Sequence, residues 1–126
     1  MQKLIAGLLG ALVVIFGALT WHLIRTDAPP AFQTPYQAVL LNGGQVYYGK
    51  LENASGMYPV LRDVFYVVRK EDPQNHQVAN ILVRRGKELH GPEYMVLSRQ
   101  SILFIEPVKE DSEIGRSIAA RKNKPE

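Results

Sequence analysis

Residues Tyr36 to Leu61, YQAVLLNGGQVYYGKLENASGMYPVL, decide the fold. A mostly apolar run, Tyr36 to Leu41, meets Asn42, Gly43 and Gly44, residues that accept the positive φ of a tight hairpin turn. Its partner, Gln45 to Asn53, alternates: Val46, Tyr48 and Lys50 point one way, Tyr47, Gly49 and Leu51 the other. Both faces are therefore partly apolar, which suits a small closed barrel. Gly49 interrupts good strand chemistry and marks a bend or a close approach of backbone. Ala54, Ser55 and Gly56 then supply a second turn.

Downstream, Tyr58 to Arg69 is a long strand rich in β-branched and aromatic residues, and Lys70 to Gln77 is a polar loop around Pro73. Val78 to Arg84 returns as a strand and ends at an Arg85, Gly86 turn. Lys87 to Glu93, KELHGPE, is the least regular segment. Tyr94 to Leu97 is a short strand, Ser98 to Ser101 a one-turn connector, and Ile102 to Glu106 a closing strand that Pro107 ends. In the polar tail, 109–126, Asp111 or Ser112 can cap a short helix through about Arg121, with Ile114, Ile118 and Ala119 on one face. About ten residues with a glycine inside make a marginal helix that needs a surface to dock on.

Upstream, Leu4 to Ile24 holds no Asp, Glu, Lys or Arg and is long enough to cross the hydrocarbon layer. Its length exceeds the apolar region of a cleavable signal peptide, and TWHLIRTDAPP offers no small-x-small cleavage site, so residues 1–25 read as a retained anchor. Lys3, Trp21, His22 and Arg25 sit where interfacial side chains gather, while Ala6 with Gly10 and Gly7 with Ala11 would let two such helices approach closely. Lys3 and the amino terminus place the N-terminus inside, with the β-domain on the extracytoplasmic side of a cell membrane. Residues 26–35 contain three prolines and form a short semi-rigid stalk, leaving 36–108 as one small domain.

The 126 residues include no cysteine, which removes disulfides and thiolate metal sites together. Net charge is +3, yet the domain at 35–108 carries eight basic and seven acidic side chains, and its longest basic group is Arg84, Arg85 and Lys87. A nucleic-acid binder concentrates positive charge on one face, so nucleic acid is not an expected partner. No phosphate loop, nucleophile elbow or metal-ligand spacing is present, and neither a cofactor nor an enzymatic role is expected.

Leu41, Asn42, Gly43, Gly44, Gln45, Val46, Tyr47, Tyr48, Gly49, Lys50 and Leu51 resemble the first motif of the Sm-like proteins, with a leucine, a turn glycine, a second glycine five residues later and another leucine in order. The resemblance implies a strongly bent, five- to six-stranded antiparallel barrel of the Sm/SH3 type that assembles with copies of itself. That family's RNA-contacting Asp and Asn would fall on or near Ser55 and Pro59, and its Arg-Gly second motif is represented by Arg99 followed by Gln100, so its RNA binding does not carry over. The same hairpin with the later ELHGPE also resembles a group of uncharacterised small single-pass bacterial membrane proteins, which implies a bacterial source.

The leading expectation is thus a membrane-anchored, non-enzymatic scaffold or interaction module whose partners are lipid, protein or itself. An alternative reads Tyr47, Tyr48, His90 and Glu93 as a surface for peptide or glycan beside the membrane. A third makes His90 and Glu93 a hydrolytic or metal site, for which one imidazole and one carboxylate are too few.

Overall fold

A computed structural model describes residues 2–26 and 31–124, without the side chains of 23–26. The chain divides into two compact units, Met1–Pro30 and Ala31–Glu126.

The first unit is helix α1, Gln2–Thr26. Its window Gln2–His22 is long and apolar enough to cross a membrane. Large side chains stand exposed all round it, among them Leu4, Leu8, Val13, Phe16 and Leu19, so α1 has no polar face to offer water. Residues 27–30 of the expected stalk and the Arg25 side chain lie outside the described residues.

The second unit is a six-stranded antiparallel open sheet with a short C-terminal helix. Strands β1 (Gln37–Leu41), β2 (Val46–Glu52), β3 (Val60–Glu71), β4 (Val78–Arg84), β5 (Tyr94–Val96) and β6 (Ile102–Pro107) follow in sequence, and α2 spans Glu113–Lys122. The order across the sheet is β4-β3-β2-β1-β6, and β5 pairs with β3. The turn between β1 and β2 closes as its glycines require, with the Gly44 N–H bonded to the Leu41 carbonyl and Gly44 at φ +87°. Pro107 does not end β6 but is its last paired residue, opposite Gln37, because a proline without an N–H is tolerated on an edge strand. Connector 98–101 contains a single 3-10 turn, Arg99–Ser101.

β3 is the long member, and it changes partner partway. Val60 to Arg62 pair with β5, whereas Phe65 to Glu71 pair with β4 on the same edge. Between them Asp63 adopts φ +53°, a left-handed conformation that reverses the pleat and bends the strand. On the opposite edge the ladder to β2 slips between Tyr48 and Lys50. Gly49 sits at that slip with its Cα against Leu61 and Arg62. A Cβ there would lie 2.7 Å from the Leu61 side chain and 2.8 Å from the Arg62 carbonyl, which is why the position is glycine. The buried Gln37 side chain closes the irregularity, accepting from the Leu51 N–H at 3.0 Å and donating to the Thr34 carbonyl at 2.6 Å.

Two apolar clusters form, one on each face of the hairpin. Tyr36, Phe65, Leu82, Val108 and Ile118 make the first, and Val39, Leu61, Val64 and Leu97 the second. Leu41 and Leu51 pack on the second, as the alternation requires. α2 covers the first cluster: Ile118 is 2% exposed, and the Ser112 hydroxyl caps the helix by accepting from the Gly115 N–H at 3.0 Å. Beyond Leu82 the β3–β4 hairpin runs out as a two-stranded ribbon, exposed throughout from Arg69 to Asn80.

Candidate functional site

The largest concentration of charge inside the sheet domain lies at the bend of β3. Asp63 sits on a strand otherwise built of Val, Leu, Phe and Tyr, and the bend turns its carboxylate toward groups from three other elements. Arg84 Nη2 and Lys122 Nζ each lie 2.9 Å from it, and the Tyr36 hydroxyl donates a short hydrogen bond to the same group. Burial raises the Asp63 carboxyl, but the Tyr36 and Lys122 hydrogen bonds and the two cations outweigh it, so its pKa lies below the ordinary value. Desolvation and the adjacent carboxylate push the Tyr36 phenol up, and the same partners hold Lys122 firmly protonated. Lys122 and Lys50 also stand over the Tyr36 ring, at 5.0 and 5.6 Å from its centroid. This cluster ties the last turn of α2 to the start of β1 and the middle of β3.

Beside the bend, in the gap where β3 has left β5 and not yet met β4, lies a cavity of about 400 Å³. The chain between β4 and β5 crosses the gap, with the Arg85 N–H bonded to the Val64 carbonyl at 2.8 Å. Gly86 at φ +139° and Gly91 at φ +55° turn this crossing segment. Arg84, Arg85, Lys87, Glu93 and Tyr94 wall the cavity along with Asp63. The Arg62 guanidinium lies 4.9 Å over the Tyr94 ring at its side.

A second concavity, about 560 Å³, opens where the β2–β3 ladder stops at Tyr48 and Phe65. Tyr47, Tyr48, Tyr66 and Leu82 line it against Glu113 and Ile114 of α2. The two adjacent tyrosines are half-buried and serve opposite faces. Tyr48 packs on the first cluster, where burial raises its phenol pKa, while Tyr47 packs on the second and meets Tyr66 edge-on at 6.2 Å.

The structure thus separates the residues that the sequence groups together. Glu93 lines the cavity at the bend, and Tyr47 and Tyr48 line the other concavity. His90 stands exposed in the turn that the Gly91 N–H closes on the Glu88 carbonyl, and it lines neither. Among the described residues no group of three or more His, Asp or Glu side chains could hold a metal ion. In the first unit Lys3, Ala6, Gly7, Gly10, Ala11, Trp21 and His22 are all exposed on α1, and Gly7 and Gly10 have open space above their Cα atoms. Ser55 is exposed, and Pro59 is fully buried with its carbonyl accepting from the Leu97 N–H.

Sequence reasoning missed Asp63. The signal was present, since an acid between Arg62 and Val64 in a strand with apolar faces demands a partner, but Arg84 and Lys122 are distant in sequence.

Comparison with protein-family models and with curated proteins gave no match to the chain.

Proposed function

We propose that the chain is a single-pass membrane protein whose Sm/SH3-like barrel acts as a non-enzymatic interaction module that associates with copies of itself. The observation that carries this reading is the outer edge of β6. Among the described residues β6 pairs with β1 alone, and its segment Ile102–Ile105, ILFI, has no charged side chain. Leu103 is 60% exposed and Phe104 49% exposed on it. Soluble domains guard open edges with lysine, proline or bulges; β6 has a bulge at Leu103, where its register to β1 shifts, and Glu106 and Pro107 at one end, but no lysine along its length. An apolar, unpaired edge of this length suits strand addition by a second sheet, and β4 supplies an equally open edge at the other side of each copy. The bend of β3 at Asp63 and the close approach at Gly49 support the barrel reading, because both curl the sheet on itself.

The full-length chain in mild detergent should run as a dimer or larger species by native mass spectrometry and by chemical cross-linking. Leu103→Lys, which places a charge on the edge without touching either apolar cluster, should shift it to monomer. A wild-type chain that stays monomeric at micromolar concentration overturns the reading.

A further inference from the structure

We propose that the concavity between β2, β3 and the start of α2 binds an organic monocation, a quaternary ammonium group, against its tyrosine rings and Glu113. The parting of two strands makes the opening. Tyr48 and Phe65 are the last pair of the β2–β3 ladder, and beyond them β3 is paired with β4 instead. Tyr47 and Tyr66, which would pair next, meet through their rings, 6.2 Å apart at 63°. Two rings at that angle form a corner rather than a stack. Tyr48 lines the same opening, and all three rings are half-buried.

Charge decides the class of ligand. Among the residues that line the concavity Glu113 alone is charged, and none is lysine or arginine. Among the described residues no cation of the chain comes within 4.0 Å of the Glu113 carboxylate. The rings are also without one. Lys50 and Lys122 stand over Tyr36, Arg84 over Phe65 and Arg62 over Tyr94, whereas among the described residues no such group stands over Tyr47, Tyr48 or Tyr66. A ring attracts a cation through its quadrupole, and three such rings beside one carboxylate select a single positive charge. Glu113 also suits the positive end of α2, but that role requires no tyrosine beside it.

The rest of the lining selects the kind of ammonium. A primary ammonium is strongly hydrated and has three N–H donors to satisfy, and the exposed Glu113 would hold it at the rim, in water. A quaternary ammonium has no N–H to satisfy, and Val46 and Ile114 offer apolar contact to its methyl groups. The volume, about 560 Å³, falls in the range of small-molecule pockets. The inference is independent of the β6 edge.

The test is calorimetric titration of the full chain in a maltoside detergent, which carries no ammonium of its own. Three probes are compared: choline, its uncharged carbon isostere with a tert-butyl group in place of the trimethylammonium, and acetyl-lysine amide. Choline should bind at least about tenfold more tightly than the isostere, since only the charged group draws on the rings and the carboxylate. Acetyl-lysine amide should also bind about tenfold more weakly than choline. Glu113→Gln should weaken choline about tenfold and Tyr66→Leu about fivefold, whereas Tyr66→Phe, which keeps the ring, should bind it as wild type. If Tyr66→Leu fails to fold by circular dichroism, Glu113→Gln, at an exposed position, still decides the matter. The proposal fails if choline does not bind, if the isostere or acetyl-lysine amide binds as tightly as choline, if Tyr66→Phe loses choline, or if the folded Glu113→Gln and Tyr66→Leu variants bind it as wild type.

Discussion

At the scale of the residue, Asp63 combines a strained backbone with a paired charge, and the two contributions can be separated. A non-glycine residue in the left-handed region costs on the order of 1–2 kcal/mol, partly relieved for Asp by its short polar side chain. Losing the carboxylate leaves Arg84 and Lys122 without their shared partner. Its side chain is 14% exposed, so the loss should fall between a surface pair and a fully buried one, at about 2 kcal/mol. Asp63→Gly should therefore destabilise the domain less than Asp63→Ala, by about 1 kcal/mol, in chemical denaturation followed by tyrosine fluorescence. Equal losses in the two variants would remove the backbone from the explanation. The pH dependence has a fixed sign. The folded-state pKa of Asp63 lies below its unfolded value, so its stabilisation is complete above the ordinary carboxylate range and is lost as pH falls through the folded pKa. Thermal melts of wild type should drop as pH falls below the ordinary aspartate value of about 4, and the Asp63→Ala melt should drop less over the same interval.

At the scale of the element, α2 is held by tertiary contact far more than by its own propensity. Gly115 lies against the turn that precedes the helix, where a Cβ would come within 2.2 Å of the Lys109 carbonyl. Gly115→Ala raises intrinsic helix propensity by about 1 kcal/mol, yet it should lower the denaturation midpoint, because the helix would have to lift from residues 109–110. Ile118→Ala should cost about 2–4 kcal/mol by opening the first cluster. A rise in midpoint for Gly115→Ala would show that the helix is not seated on that turn.

Elements were the most legible part of the chain. The hairpin glycines, the alternation of β2 and the Ser112 cap act within a few residues of one another, so sequence spacing reveals them; the strands and helices lie within two residues of the expected bounds, with β3 starting at Val60 and running on to Glu71, into the segment expected as loop. The bend at Asp63 depends on β3 trading β5 for β4, pairings that join residues tens of positions apart, and no local pattern announces them. The same limit applies to the wall of the cavity. Arg84, Arg85 and Lys87 were visible as a basic group, but which of them is neutralised was fixed by Asp63 and Lys122.

At the scale of the whole molecule, an exposed apolar helix and a folded sheet domain place opposite demands on their surroundings. α1 suits hydrocarbon, whereas the domain has polar loops and a mixed surface suited to water. The orientation proposed from Lys3 puts the domain outside the cytoplasm. A reporter active only in an oxidising compartment, fused after Glu126, should therefore be active, and its cytoplasmic counterpart silent. The opposite pattern would reverse the orientation and bring the domain within reach of cytoplasmic partners. Alkaline carbonate should leave the chain in the pellet if α1 is retained as an anchor, whereas a cleaved segment would release the domain.

The ribbon at the end of the β3–β4 hairpin has a practical consequence. Its tip, Asp72 to Gln77, is held by local bonds such as that from the His76 N–H to the Asp72 carbonyl at 2.9 Å, and it contributes nothing to either apolar cluster. A peptide epitope or a protease recognition sequence grafted between Pro73 and Asn75 would leave the fold intact. That loop is the natural handle for tracking the molecule in a cell, because its tip lines neither the cavity at the bend nor the concavity beside Tyr48.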